Sequence, residues 1–367
     1  MFIKLTNIIS SDIATNVNKQ ISLSNLLRSH YSGFNITNID IDDLNYIIKL
    51  NSLSKADIFT ACDIKDTRRE YGRIKKETTH YIIVDFALDN NIEKNETDGN
   101  QVFLYCSHHK FHDFDKAIAC SLVSECETDI ELYKIIGKYY SSAKINSSIP
   151  LNFKIEDGRG SGTKPIFDRL KNHGCMCLCL IDSDKKHPNG PLGGTAKAFT
   201  THDLIFHGST LTKIIESHEA ESLLPYKAIS SAMYAYSYSA SKFDALDLMS
   251  THSKRKPEIK DFIDHKKGIC AEKYTALDKV YGKFWTELPE IIKYAQKKPH
   301  GKECDADCIV IEGLGDNILA HTLQELQRMT PFKVKESLEP ILIPIWDDLG
   351  KLIFSWGCAP HKVQTRA

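Results

Sequence analysis

The hexapeptide Ile181-Asp182-Ser183-Asp184-Lys185-Lys186 follows the apolar run Cys175-Met176-Cys177-Leu178-Cys179-Leu180. A buried strand that ends in two aspartates one residue apart offers hard carboxylate oxygens at a rigid strand end. Divalent cations such as Mg²⁺ or Mn²⁺ prefer those ligands, and the carboxyl ends of α/β strands are where ligands gather. A turn held by Asx hydrogen bonds would account for the same two residues. Upstream, Leu151 to Ile155 reads as a strand, Glu156 to Thr163 as a glycine-rich turn, Lys164 to Asn172 as a helix, and Gly174 to Ile181 as a second strand. A strand–turn–helix–strand order of this kind implies parallel pairing, so Glu156 should end on the same sheet edge as Asp182 and Asp184.

Other groups nearby could act on a phosphate. In Gly158-Arg159-Gly160-Ser161-Gly162-Thr163, glycines ahead of a helix start allow backbone N–H groups to face an anion. Gly158, Arg159 and Gly160 are the candidate phosphate-binding residues, against the alternative of a flexible turn. The turn has neither the lysine of a P-loop nor a full dinucleotide fingerprint. Lys185 would stabilise charge on a reacting phosphate, or, with Lys186, serve only as counter-charge to the aspartates.

Together, Glu156-Asp157-Gly158 and Asp182-Ser183-Asp184 resemble the acidic core of the Toprim fold, shared by topoisomerases, primases and OLD-type nucleases. The resemblance implies Glu156 as acid–base group or metal ligand, and Asp182 and Asp184 as Mg²⁺ ligands. The segment Glu216 to Pro225 is similar to the acidic helix start that follows the aspartate pair in OLD-like and related defence nucleases. It implies that Glu219 and Glu221 complete the metal site. The likeness covers roughly residues 150 to 230. It implies a nucleic-acid substrate, DNA or RNA, and a role in antiphage defence with a partner protein.

Cysteine and histidine supply a second constellation. Cys304, Cys308, Cys358 and His361 are ligand types suited to a structural Zn²⁺, with buried thiols as the alternative. Cys106, His108, His109 and His112 read as an exposed loop, and Cys175, Cys177 and Cys179 as core packing. Glu312-Gly313 reads as a turn that only superficially repeats the first acidic motif. Asp261 to Gly268, with Lys266 and Lys267, reads as a basic edge or a solvated surface.

The elements that position these groups point to an α/β protein with a parallel sheet flanked by helices and mainly helical flanking regions, and the resemblance implies that this sheet is Toprim-like. Residues 1–148 form an amino-terminal α+β domain, 149–235 the Toprim-like core, and 236–367 a mainly helical carboxyl-terminal region. Residues 1 to about 80 read as mostly helical after the strand-like run Met1 to Ile9. Strands follow at Tyr81 to Phe86 and Val102 to Cys106, with an exposed loop from Asp89 to Asn100 between them. Helices are expected over Phe114 to Tyr140, and again from about Leu211 onward.

Composition sets outer limits. The chain has 367 residues, of which 42% are hydrophobic and 26% charged, ample for globular cores. A net charge of −1 excludes a global basic field, so contact with a polyanion must be local. No apolar stretch approaches the ~18 residues of a membrane span. Eleven scattered cysteines fit a reducing cytoplasm better than a disulfide framework. The expected function is a Mg²⁺-dependent nuclease. A metal- or nucleotide-sensing module without turnover, or a phosphatase or phosphotransferase on a small phosphate ester, is the alternative, and assembly as a homo-oligomer stays open.

Overall fold

The apolar opening run becomes an interior strand of the first sheet. In this computed structural model, which describes residues 1–145, 148–297 and 308–362, the chain divides into two compact units. The first comprises residues 1–179, 199–213 and the chain from Asp347 onward; the second comprises residues 180–198 and 214–346.

In the first unit, β1 (Phe2–Thr6), α1 (Val17–Tyr31), β2 (Ile36–Ile39), α2 (Ile41–Ile47), α3 (Lys55–Ile74), β3 (His80–Asp85), β4 (Glu93–Asp98) and β5 (Gln101–Ser107) follow one another. Their sheet has the order β2-β1-β3-β5-β4 and is parallel except for β4, which runs antiparallel to β5. Parallel strands are covered on both faces, which is why β3 reads as the near-continuous apolar run Tyr81-Ile82-Ile83-Val84. β4 lies inside the stretch expected to be a loop. Its charged sequence is the kind an edge strand tolerates, with one side unpaired and solvated. β2 also departs from the expected helical reading of residues 1 to 80.

Local chemistry starts the helices. The Asn16 side chain accepts from the N–H groups of Asn18 and Lys19 at the start of α1, and Ser54 and Asp57 form a capping box on α3. The core joins Phe2, Ile36, Tyr71, Ile74, Tyr81 and Phe103 to Phe354 and Cys358 near the chain's end. The Tyr81 and Phe103 rings stack at 5.1 Å.

Within this unit, fully buried His30 accepts from the Thr37 N–H at Nδ1, 3.0 Å away. Burial pushes its imidazole down to about 3. Charging it would also break the bond from Thr37. Between pH 6.5 and about 3 the unfolded chain therefore takes up a proton that the folded one refuses. This residue alone should erode stability by up to about 1.4 kcal/mol per pH unit as pH falls through that window. Urea unfolding of a His30→Asn variant, which keeps an acceptor near Nδ1, should show a correspondingly shallower acid limb. An unchanged limb would refute this assignment.

The second sheet is built from β6 (Ser121–Ser124), which precedes α4 (Glu127–Tyr140), and from β7 (Lys154–Asp157), β8 (Cys177–Asp182) and β9 (Thr210–Ile215), with α5 (Thr163–Asn172) and the short α6 (Gly194–Lys197) between the last three. The order is β7-β6-β8-β9, with β6 parallel to both β7 and β8. Two expectations are corrected here. β7 and β8 are not neighbours, because β6 lies between them, inside the region read as one helix from Phe114 to Tyr140. The region from Leu211, also read as helical, is β9. β6 is buried throughout and β9 is buried apart from Lys213 and Ile214; runs this short carry no period that separates a strand from a helix. α5 buries Thr163, Phe167 and Leu170, and its Lys171 pairs with Asp203 at 2.7 Å.

The second unit contains α7 (Tyr226–Ala235), α8 (Ala240–Arg255), α9 (Ile259–Phe262), β10 (Gly268–Cys270), α10 (Ala271–Tyr281), α11 (Pro289–Lys297), β11 (Ile309–Glu312), α12 (Ile318–Arg328) and α13 (Pro331–Ser337); α14 (Leu342–Gly357) then passes back to the first unit. β10 and β11 pair antiparallel, with a register irregularity between Ile269 and Cys270. Gly268 has φ +80°, and a Cβ there would lie 2.1 Å from the Ile311 carbonyl oxygen, so the ladder closes only on glycine. Among the described residues, no helix is long and apolar enough to cross a membrane. The α/β class expected from the sequence is observed, with one mixed sheet, one sheet with parallel pairing, and flanking helices.

Candidate metal centre

Beyond the last residue of β8, the backbone continues pairing outside the regular ladder. Ser183 N–H donates to the Ser217 carbonyl at 3.3 Å, and Asp184 N–H to that of His218 at 3.0 Å. The Ser183 hydroxyl donates to the carbonyls of Glu216 and Ser217. Asp182 Oδ2 accepts from Ala220 N–H at 3.0 Å. The aspartate motif is thereby fastened along the segment 216–220. Asp184 takes a left-handed φ of 54° and is exposed. Gly193 lies against it, and a Cβ at that position would meet Asp184 Oδ2 at 2.0 Å.

On this segment a group of ligand-bearing side chains converges. His218, Glu219 and Asp264 place one potential ligand atom each within 4.8 Å of one another, the one group of this kind among the described residues. His218 Nε2 lies 3.2 Å from Glu219 Oε1 and 3.9 Å from Asp264 Oδ2. Glu219 is the N-cap residue of a 3₁₀ turn (Ala220–Leu223), not the start of an α-helix as expected. Asp264 comes from the connection between α9 and β10, where its Oδ1 accepts from Lys267 N–H at 2.8 Å. That connection is held from β11's exit: Leu314 N–H donates to the His265 carbonyl and Gly315 N–H to that of Lys266.

Two lysines compensate the carboxylates. Lys186 Nζ donates to Asp264 Oδ2 at 3.2 Å. Lys266 Nζ lies 3.0 Å from Glu221 Oε1 and 3.4 Å from Glu219 Oε2. Glu221 is only 1% exposed. Burial pushes its carboxyl up, only partly opposed by Lys266. For Asp264 burial acts in the same direction, but the neighbouring His218, the hydrogen bond from Lys267 N–H and the charge of Lys186 carry it well below the carboxylate range. Glu219 is lowered likewise, with burial outweighed by His218 and Lys266. His218 is raised, as its acidic neighbours outweigh burial. Lys273 stands near enough that the charge of Lys186 lowers its own ammonium, a third cation beside Lys186 and Lys266.

The donor set fits a divalent cation. His218 Nδ1 and Nε2, Glu219 Oε2 and Glu221 Oε1 are buried atoms that no well-formed hydrogen bond reaches. Two carboxylates and one imidazole suit Mn²⁺ and Zn²⁺ somewhat better than Mg²⁺, which favours an all-oxygen shell.

The remaining sequence-derived residues lie elsewhere or serve other ends. Glu156 is in the first unit, where Lys154 (2.9 Å) and Arg169 (3.1 Å) pair with it. Gly158, Arg159 and Gly160 do not present a free amide cradle. Their N–H groups donate to Ser124 O, Asp157 Oδ1 and Glu125 O. Gly158 is instead a packing requirement, since a Cβ would lie 2.1 Å from Thr163 Oγ1. Lys185 donates its backbone N–H to the Ser183 hydroxyl.

Of the expected zinc set, Cys304 lies outside the described residues and Cys308 belongs to the second unit, while Cys358 and His361 belong to the first. Cys358 Sγ points to the Ser355 carbonyl, and His361 N–H donates to the Tyr71 hydroxyl. The expected exposed loop at Cys106 to His112 is corrected: Cys106, His108 and Lys110 are buried. His187 is structural, bonded to Gly282 O and Asn189 N.

Sequence reasoning passed over His218, Asp264 and the pairing roles of Lys186 and Lys266. The adjacent dyads His218-Glu219 and Asp264-His265 were the only signal, and their separation along the chain matches no metal motif. Comparisons of the chain with protein-family models, with curated proteins and with solved structures each find no match.

Proposed function

We propose that the protein is a metal-dependent phosphodiester hydrolase, a nuclease whose centre is formed by His218, Glu219 and Asp264 beside the Asp182 strand end. The observation that carries this reading is the convergence of that mixed imidazole–carboxylate group with Lys186 and Lys266 at hydrogen-bonding or ion-pair distance. A divalent cation held there supplies Lewis-acid stabilisation of charge on a phosphate. Lys186, Lys266 and Lys273 give the same region cations that attract and orient a phosphodiester anion. Asp182 fixes Ala220, and with it the backbone that presents Glu219.

The Toprim-like reading of Asp182, Asp184 and Lys185, with Glu221 as a further metal ligand and a role in antiphage defence, rests on resemblance; Glu156, in the first unit and paired with Lys154 and Arg169, is not carried into this centre. The ligand chemistry supports Mn²⁺ alongside Mg²⁺.

Incubation with plasmid, single-stranded DNA and tRNA, each with Mn²⁺, Mg²⁺ or EDTA, tests the proposal. Cleavage of at least one substrate is expected with Mn²⁺ and none with EDTA. Intact substrates under every metal condition would overturn it. A metal-sensing role without turnover is the second reading. It is favoured by the carboxylates being already paired with Lys186 and Lys266, and it predicts metal binding with all substrates left whole.

A further inference from the structure

Cys270 closes β10 and Cys308 immediately precedes β11, and their sulfurs lie 2.7 Å apart. That is well inside the van der Waals separation of two sulfur atoms. The two residues meet at the irregular end of the β10–β11 ladder, where Cys270 stands opposite Ile309. Cys308 is buried, whereas Cys270 is partly open to solvent, so one thiol of the pair can be reached by a small reagent. Other buried cysteines differ. Cys177 and Cys179 point into the sheet core, and burial holds both thiols far above their ordinary range, which leaves them inert.

We infer that Cys270 and Cys308 form an oxidisable dithiol, a site of reversible disulfide formation by low-molecular-weight disulfides such as oxidised glutathione. The partly exposed Cys270 thiolate attacks one sulfur of the reagent, forming a mixed disulfide and expelling one glutathione thiolate. The Cys308 thiolate then attacks the Cys270 sulfur; the protein S–S bond forms and the second glutathione leaves. Two electrons pass from the protein pair to the reagent, and the two thiol protons end on the released glutathiones. The bond would join β10 to β11 at the end of the ladder remote from Gly268, while the other end carries the 264–266 connection. This inference stands independently of the nuclease reading.

The test uses the full chain with Cys126→Ser, which silences the thiol exposed among the described residues while leaving an oxygen to accept from Thr128 N–H. Protein is treated with excess oxidised glutathione, blocked with iodoacetamide and analysed by intact mass and peptide mapping, with thermal melting in parallel. The expected product has lost two hydrogens, carries a Cys270–Cys308 cross-linked peptide, and reverts with dithiothreitol. Closing this loop should raise Tm by about 5–10 °C. Cys270→Ser, at the more exposed and so more tolerant position, should abolish both cross-link and Tm shift while melting like the reduced parent. Alkylation of both thiols after oxidation, or a persistent glutathione adduct on Cys270, would overturn the inference.

Discussion

Glu219→Gln and Asp264→Asn are each expected to reduce metal-dependent cleavage by about 100-fold or more, the scale seen when a ligand or its orienting partner is lost. Each change removes charge while keeping shape. The asparagine side chain can still accept from Lys267 N–H, as Asp264 does at 2.8 Å, so the connection into β10 should hold. Cation affinity, read by calorimetry with Mn²⁺, should fall in parallel. It should also fall with acidity in the parent protein, because His218 sits above its ordinary value beside Glu219 and Asp264 and must shed its proton to bind metal. Asp182→Ala should weaken cleavage by removing the acceptor of the Ala220 N–H and so loosening the residue after Glu219. Cleavage at the parent rate by both the Glu219 and Asp264 variants would place the chemistry elsewhere. Retained Mn²⁺ affinity in both would show that they are not ligands.

The largest loss of stability is expected from Asp278→Ala. The carboxylate of Asp278, on α10, accepts from the N–H groups of Phe284, Trp285 and Thr286 and from the Thr286 hydroxyl, at 2.8 to 3.1 Å. Asp278 is buried, as is Trp285, whose indole N–H donates to the Lys186 carbonyl. Alanine would strand three backbone donors, and a buried donor without a partner costs about 1–3 kcal/mol. The variant should therefore lose about 3 kcal/mol or more in urea unfolding, and Lys186 should be displaced from Asp264. Asp278→Asn keeps one acceptor and should recover part of the loss.

The pH dependence of that carboxylate has a definite sign. Burial would raise it, but the backbone hydrogen bonds from the 284–286 turn win and depress it. Its contribution is present above the ordinary carboxylate value near 3.8 and is lost as pH falls through its lowered folded value. The Asn variant should lack that acid limb. Equal stability of the parent and Asp278→Ala proteins would contradict this account.

Much of the candidate centre's frame was legible in the chain. The apolar run before Asp182 has to be a buried strand, and two polar, strand-ending aspartates have to emerge from it; Phe167 and Leu170 likewise mark the buried stripe of α5. β6 was not legible. Ser121-Leu122-Val123-Ser124 is fully buried over four residues and follows no alternation, so nothing distinguishes it from one turn of a helix. The glycine turn showed the need for glycine but not its cause. Close packing on Thr163 requires Gly158, where the sequence offered a flexible turn or, more weakly, an anion cradle.

By itself, then, the sequence determined an α/β protein, the strand that ends in Asp182, and a region dense in carboxylates and lysines. Only the tertiary structure decided that β6 separates β7 from β8, that β9 is a strand, and that His218-Glu219 meets Asp264. Hydrophobic period reports which side of an element is buried, and a local motif reports which groups a turn carries. Neither says which strand lies alongside or which distant connection closes over a site. Those outcomes depend on long-range pairing, such as that of β10 with β11, whose partners are specified by packing and not by spacing along the chain.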